Sequence, residues 1–421
     1  MKKLSVILIL FALTAGLRAQ DLVSTLAGQA LVSGATNGTG TNALFNDPAA
    51  VVVDASGNYF IADTLNDAIR KVTAAGVVTT FAGQLGVAGL INATGTGAQF
   101  DDPNGLAFDA GGNLYVSDTG NNVIRKITSA GVVSTYAGVA GTGGYLDGST
   151  GTALFNSPLG IVVWTNGTVY VADSGNHCIR KISGGTVATF AGSPQVWGSA
   201  DGTGTNAQFN APCGLRFDAH RILFVSDANN NTVRKITTNG MVTTFAGTAG
   251  QDGTADGVGN AARFRSPAEM SFDAQGNLYV ADSFNQTLRK ITTNGVVSTV
   301  CGAAGAAGAA SGTNGVGRFF NPYGLVVAAD GSLVVVDSYN ELVRAVIVPF
   351  ALSLQLAGGA HTASLSWSTV IGKKYQAQFK TDLTAANWTN LGAAMTATGY
   401  SLNTTDNGAT GMKVYRVLLL P

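Results

Sequence analysis

The chain is poor in charge. Of its 421 residues only 24 are basic and 24 acidic, and the two sets cancel. It therefore lacks the basic footprint that nucleic acid or anionic lipid requires, and neither is expected as a partner. Cysteine is scarce as well. Cys178, Cys213 and Cys301 fall at unrelated positions, which excludes a disulfide framework or thiolate metal cluster; they read as small buried hydrophobes. Long apolar runs are absent with one exception, Leu4 to Leu13. Met1-Lys2-Lys3 precedes that run and Thr14 to Ala19 follows it, the pattern of a secretory signal cut after Ala19. The run is too short to span a bilayer comfortably, and no cysteine near the cut offers a lipid anchor. The expected location is outside the cytoplasm, either secreted or in the periplasm or cell envelope, without an integral membrane segment.

Hydrophobic residues make up 46% of the chain and glycine contributes 56 residues, a combination that suggests short strands joined by many tight turns. A repeat dominates the pattern. Asp63, Asp118, Asp173, Asp227, Asp282 and Asp337 each precede a turn with an asparagine. Seven residues after each comes an arginine: Arg70, Arg125, Arg180, Arg234, Arg289 and Arg344. Each unit holds four β-rich runs, A to D. In one unit they are Pro103-Asn104-Gly105-Leu106-Ala107-Phe108, Leu114-Tyr115-Val116-Ser117-Asp118, Val123-Ile124-Arg125-Lys126-Ile127 and Val132-Val133-Ser134-Thr135-Tyr136-Ala137. Such runs are too short for helices and predict antiparallel four-stranded blades. The A-B-C set opens six times, at Pro48, Pro103, Pro158, Pro212, Pro267 and Pro322. The D run also occurs six times, but its first copy, Leu22 to Gly28, precedes any A run. That offset predicts an N-terminal strand completing the last blade and removing the ring's open edge.

The pattern P-x-G-L-x-x-D-x-x-G-N-L-Y-V-A-D-x-x-N-x-x-I-R-K-I, carried by Pro103 to Ile127 and varied five more times, resembles the NHL repeat of secreted bacterial proteins. The resemblance covers roughly residues 22 to 348. It implies an all-β, six-bladed β-propeller, and it does not specify an activity, since the family includes protein binders, RNA binders, sensor domains and a lyase. The expected organisation is a signal peptide over 1–19, the propeller over 20–348 and a small β-sandwich over 349–421. The tail's alternating runs, with G-K-K-Y-Q-A-Q-F-K-T-D-L and V-Y-R-V, resemble a fibronectin-type-III-like domain. Pairs such as Trp367 with Tyr375 and Trp388 with Tyr415 are expected to furnish its core.

Residues shared by every unit read as framework. The Asp/Arg pairs look like acid–base chemistry when seen singly, but their sixfold recurrence favours turn hydrogen bonds and pairing at blade interfaces. Phe45, Phe100, Phe155, Phe209, Phe264 and Phe319 read as plugs between blades. The Asp-Gly steps at Asp147, Asp201 and Asp256 lack the further acids of a calcium loop and read as turns.

Function is better sought where one copy departs from the others. The D-to-A and B-to-C loops share one face, the top, while the N-terminal strand and the tail are expected to start below it. At the second residue after the Asp, blades 5, 6 and 1 carry Phe284, Tyr339 and Leu65. Glu269 replaces a glycine of four other blades, and Tyr323 lies close by in blade 6. With Asp67 and Glu341 these residues form a candidate recognition patch, the alternative being ordinary loop residues that shield the blade tops. Tyr145 and Trp197 can stack on sugar rings or fold back onto their loops. Arg216, alone among small or apolar counterparts, suggests a buried pair or a ligand contact.

A calcium-dependent lactonase or esterase needs several acidic or amide ligands in the channel, where the A-strand starts offer only Asn104 and Glu269. A zinc lyase needs channel histidines, and only His177 lies near the top. The favoured reading is a monomeric, non-enzymatic binding or scaffold protein without cofactor or metal, recognising a protein, peptide or cell-envelope glycan on the top face. A propeller hydrolase or lyase with its site in the channel is the alternative.

Overall fold

The computed structural model describes residues 22–312, 316–329 and 331–347, and in the tail 352–356, 363–368, 374–382, 387–396, 401–407 and 413–420. The leader-like segment, residues 1–19, lies outside the described residues. Among the described residues no helix is long and apolar enough to cross a membrane. The chain divides into a large unit, Leu22–Ala328 with Leu333–Val346, and a smaller one that holds Ile347–Pro421.

The large unit contains six antiparallel sheets. In blade 2 the order from outside inward is D (Val133–Ala137), C (Val123–Ile127), B (Leu114–Asp118) and A (Pro103–Phe108). The same order recurs in every blade, and in four of them a two-residue strand such as Gly38–Thr39 adds a fifth member outside D. In blade 6 the outer place is filled by Leu22–Ala27, lying beside Leu342–Ile347. The A strands touch their neighbours around a complete circuit, with Pro322–Val327 of blade 6 against Pro48–Val53 of blade 1. The fold is thus an all-β propeller whose ends meet in one blade.

Each A strand begins with proline at the edge of its sheet, where a missing N–H removes no ladder bond. The register then shifts before the third following residue, as between Pro103 and Leu106, so the proline lies opposite the Asp that ends strand B. The core is divided among the seams between blades. One seam gathers Val52, Phe60 and Ile69 of blade 1 with Phe100, Leu106 and Val116 of blade 2. Burying a side chain of this size contributes about 1.5–3 kcal/mol.

A polar network fastens the loop that enters each blade to that blade's strands B and C. Arg125 is fully buried, and its Nη1 donates to Asp118 Oδ2 at 2.6 Å and to the Gln99 carbonyl at 2.9 Å. Its Nη2 donates to the Ile91 carbonyl and to Asn92 Oδ1. Asp118 accepts further bonds from the Asp101 N–H and from Asn121 Nδ2. The Phe100 ring lies over the guanidinium at 5.0 Å and covers it from one side, where Nε has no hydrogen-bond partner. All six repeat arginines pair with their aspartates in this way. Burial lifts the carboxyls of Asp63, Asp118, Asp227 and Asp282 to about 6, against the pull of arginine and hydrogen-bond donors. The Asp-Gly aspartates do more than turn the chain. Asp147, Asp201 and Asp256 accept the second guanidinium nitrogen of Arg180, Arg234 and Arg289.

A second device links successive blades. The fourth residue after each strand-B Asp takes a left-handed conformation, with φ from 52° at Asp67 to 61° at Gln286. Its side chain accepts the backbone N–H just before the next blade's proline. The six bonds join Asp67 to Asp102, Asn122 to Ser157, His177 to Ala211, Asn231 to Ser266, Gln286 to Asn321 and Glu341 to Asp47. Each residue supplies an acceptor, which explains how a histidine, through Nδ1, can stand in for an asparagine.

Among its described residues the smaller unit shows two antiparallel sheets. One orders Leu352–Leu356, Ala363–Ser368 and Ser401–Asp406; the other centres on Lys374–Lys380, flanked by Thr389–Asn390, Met395–Thr396 and Val414–Leu420. Leu365, Tyr375 and Ala377 form its buried cluster, with Leu402, Tyr415 and Val417 packed on it. The side chain of Trp367, expected beside Tyr375, lies outside the described residues. Lys380 Nζ lies 5.0 Å over the Trp388 ring.

Two expectations follow. Deleting residues 22–30 removes the fully buried Val23 and Ala27 and unpairs a strand of blade 6, so the propeller should lose on the order of 3–5 kcal/mol in a thermal or denaturant melt. Asp118→Ala strands the buried Arg125 charge and should cost about 3–5 kcal/mol in urea unfolding, with Asp118→Asn milder.

Candidate functional site: the top rim and the channel mouth

The residues expected to form one patch divide into three groups. Leu65, Phe284 and Tyr339 stand half-exposed at the tips of their turns. Their backbone N–H groups are tied to the carbonyls of Asn46, Arg265 and Phe320, which fixes the tips while leaving the side chains outward. The Tyr339 ring also rests edge-on against Phe320, with centroids 5.1 Å apart. Phe320 extends the apolar rim and was not singled out from the sequence. The signal was present: at the position after the plug phenylalanine the other blades have Asn46, Asp101, Asn156, Asn210 and Arg265.

Asp67 and Glu341 belong to the inter-blade clamp, a framework task shared by all six blades. Burial pushes the Glu341 carboxyl up to about 7, with the Asp47 N–H bond opposing and the charges of Asp47 and Asp63 adding to the rise. Asp67, Asp101 and Asp102 come close enough for one oxygen of each to meet within 4.8 Å. That closeness arises where Asp67 accepts the Asp102 N–H at 3.2 Å.

Glu269 and Tyr323 make the third group, with two residues from blade 4. Tyr323 Oη and Cys213 Sγ lie 2.9 Å apart, although blade 5 separates their blades. They meet inside the ring, over the start of blade 5's A strand, and Glu269 acts electrostatically on both. Arg216, one strand away, feels Glu269 as well, and its Nη2 reaches Ser271 Oγ at 3.4 Å. The cluster was only partly legible in advance, because Arg216 had no nameable partner and Cys213 read as inert packing.

The position of Glu269 is demanding. At its counterparts Gly105, Gly160 and Gly324, an added Cβ would stand 2.0–2.2 Å from a carbonyl oxygen of the next blade. At Glu269 the seam between blades 5 and 6 accommodates a whole side chain. Burial raises the Glu269 carboxyl to about 7, opposed by Arg216 and by the Met270 N–H. The same burial pushes the Cys213 thiol up to about 12 and the Tyr323 hydroxyl well above its ordinary range. Neither is a ready nucleophile at neutral pH. The group can donate and accept hydrogen bonds, and it presents one guanidinium.

Tyr145 and Trp197 behave differently from each other. Tyr145 turns back onto its own blade, its hydroxyl 2.8 Å from Thr189 Oγ1 and its ring 4.9 Å from the Arg180 guanidinium carbon. Trp197 is 68% exposed beside the exposed Val196, so its ring remains available for stacking.

A family model for the NHL repeat matches residues 100–127 and 155–182, which span strands A to C of blades 2 and 3. The chain carries NHL repeats. NHL repeat-containing protein 2 from Homo sapiens is 29% identical over 283 residues, covering 58% of this chain and 39% of that protein. The chain spans at most about two-fifths of the length of the curated relatives first matched. Among solved structures, an auxiliary nutrient binding protein from Bacteroides thetaiotaomicron VPI-5482 superposes with a TM-score of 0.61 at 14% identity, covering 78% of this chain and 76% of that one. A gluconolactonase from Xanthomonas campestris gives a TM-score of 0.51 at 14% identity, covering 78% of this chain and 89% of that one. At such identities the likeness is one of fold, shared by a binding protein and an enzyme alike.

The raised Glu269 carboxyl has a testable sign. Its folded value of about 7 exceeds the ordinary 4.5, so the fold favours the neutral form. The associated stability is complete below about pH 4.5 and is lost as pH rises through 7. Glu269→Gln should therefore melt close to wild type near pH 5 and above it near pH 8. Subtracting the two melts cancels the other acids, which titrate in both proteins.

Proposed function

We propose that the propeller is a non-enzymatic binding module, acting outside the cytoplasm, that captures a protein, peptide or cell-envelope glycan on the rim formed by blades 5, 6 and 1. One observation carries the reading. Bulky apolar side chains occupy the tips of three consecutive B–C turns, at 48%, 47% and 50% exposure for Phe284, Tyr339 and Leu65, where the other blades have glycine or asparagine. Exposed aromatics held on a rigid frame lose little entropy on binding and suit the centre of an interface. The neutral chain, with its few charges, fits a ligand recognised by contact and hydrogen bonding rather than by long-range attraction. The nutrient-binding relative in fold supports a role in capture, though its sequence is too distant to carry the ligand across.

A hydrolase or lyase site in the channel is the second reading. Glu269 favours it, because a carboxyl poised near neutrality can exchange protons during a reaction. Against it stands the rest of the cluster, whose thiol and phenol are held neutral.

The test compares immobilised wild-type protein with a Phe284→Ala/Tyr339→Ala double variant in retaining components of cell-envelope extracts. The double variant should retain at least about tenfold less of the specific ligand, a loss of roughly 1.4 kcal/mol or more. Equal retention by the two proteins removes the rim from the binding site.

A further inference from the structure

We propose that the channel mouth beside blades 4 to 6 is a binding site for a small carboxylate-bearing molecule, gripped by Arg216 and flanked by Glu269 and Tyr323. This site is separate from the rim and goes beyond the capture of a macromolecule there.

Arg216 differs from the six repeat arginines in what surrounds it. Each of those sits against an aspartate and has carbonyl and side-chain acceptors for both terminal nitrogens. Among the described residues Arg216 makes a single long hydrogen bond, to Ser271 Oγ at 3.4 Å, and forms no ion pair with a carboxylate. Ser271 is itself engaged, accepting the Val327 N–H at 3.0 Å. The guanidinium therefore carries several unused donors inside the ring, where burial pulls its pKa down and only Glu269 pulls it back. The equivalent positions in the other blades hold Val52, Ala107, Val162, Ser271 and Val326, so no repeat requirement places an arginine here.

Glu269 is equally unneeded by the frame, since four blades have glycine at that position. Glu269 acts electrostatically on Arg216 without pairing with it. A planar guanidinium with free parallel donors matches a carboxylate in bidentate fashion. Protonated Glu269 can donate to the same carboxylate, and the Tyr323 hydroxyl, 2.9 Å from Cys213 Sγ, is within electrostatic reach of Glu269. Ionised Glu269 would repel it. Binding is thus linked to proton uptake at Glu269, whose charged and titratable neighbours are Arg216 and Cys213 from blade 4 and Tyr323 from blade 6. Asp47 of blade 1 reaches this group through Tyr323. A zwitterionic amino acid is the competing ligand, and it would require Glu269 ionised.

The experiment titrates the full-length protein calorimetrically with propionate, benzoate, glucuronate and alanine, at about pH 5.5 and about pH 8. At least one of the three carboxylates should saturate a single site at concentrations up to about 10 mM and bind about tenfold more weakly at the higher pH. Arg216→Gln should abolish that binding, and Arg216→Lys should restore part of it. Glu269→Gln should retain binding while losing the pH dependence, an arm that stays decisive if the Arg216 variants fail to fold. Absence of saturable binding by all three carboxylates overturns the proposal, as does binding that Arg216→Gln leaves intact. Tighter binding of alanine than of any carboxylate, lost in Glu269→Gln, overturns it in favour of a zwitterion. Because Phe284→Ala/Tyr339→Ala leaves this cluster untouched, failure here is distinguishable from failure of the rim reading.

Discussion

A buried guanidinium must be surrounded by acceptors, and much of the propeller is arranged to meet that demand six times over. The aspartate that ends strand B and the loop entering each blade converge on one arginine, with a phenylalanine ring lying over it, while the asparagine of the following turn donates to that aspartate. Leaving such a charge unpaired would cost several kcal/mol, so the loop cannot drift without penalty. The apolar seams supply the bulk of the stabilisation, yet they are tolerant of small shifts. The arginine fixes where the loops lie, and the loops in turn fix the rim on which exposed side chains stand.

Most of this frame was legible in the sequence because it repeats. A spacing of 54 or 55 residues between aspartates, with a D-type run left over at the start, leads directly to the blade order and the closing strand. Individual contacts within the frame were less legible. Asp147, Asp201 and Asp256 look like turn residues, and nothing local to them reveals that an arginine some 33 residues later will occupy them. Asp67 and Glu341 look like departures from the pattern because their residue types differ from those of other blades. In physical terms they do not depart: aspartate, asparagine, glutamine, glutamate and neutral histidine all present an acceptor, and an acceptor is all the clamp uses.

The channel cluster was the least legible part. Its members lie on three blades, and their meeting depends on the curvature of the ring rather than on any spacing along the chain. Cys213 and Tyr323 are 110 residues apart, and nothing along the chain links the one to the other. The clue that sequence did provide was negative: Glu269 and Arg216 occupy positions at which the repeat asks for glycine and for a small or apolar residue. Comparison between copies detects that a rule has been broken. Only the structure shows that two such breaks are neighbours.

The closing strand has a consequence for how the molecule comes into being. Ser24 meets Ala345 across a sequence separation of 321, so the last blade is complete only when both ends of the propeller exist. During synthesis the first strand emerges early and has no partner until some three hundred residues have followed it. For all that time it is an unpaired β-edge, open to other chains, while the blades behind it form from local hairpins. Ring closure is therefore the long-range event of folding, and the delay it imposes on the first strand is built into the order of the gene product itself.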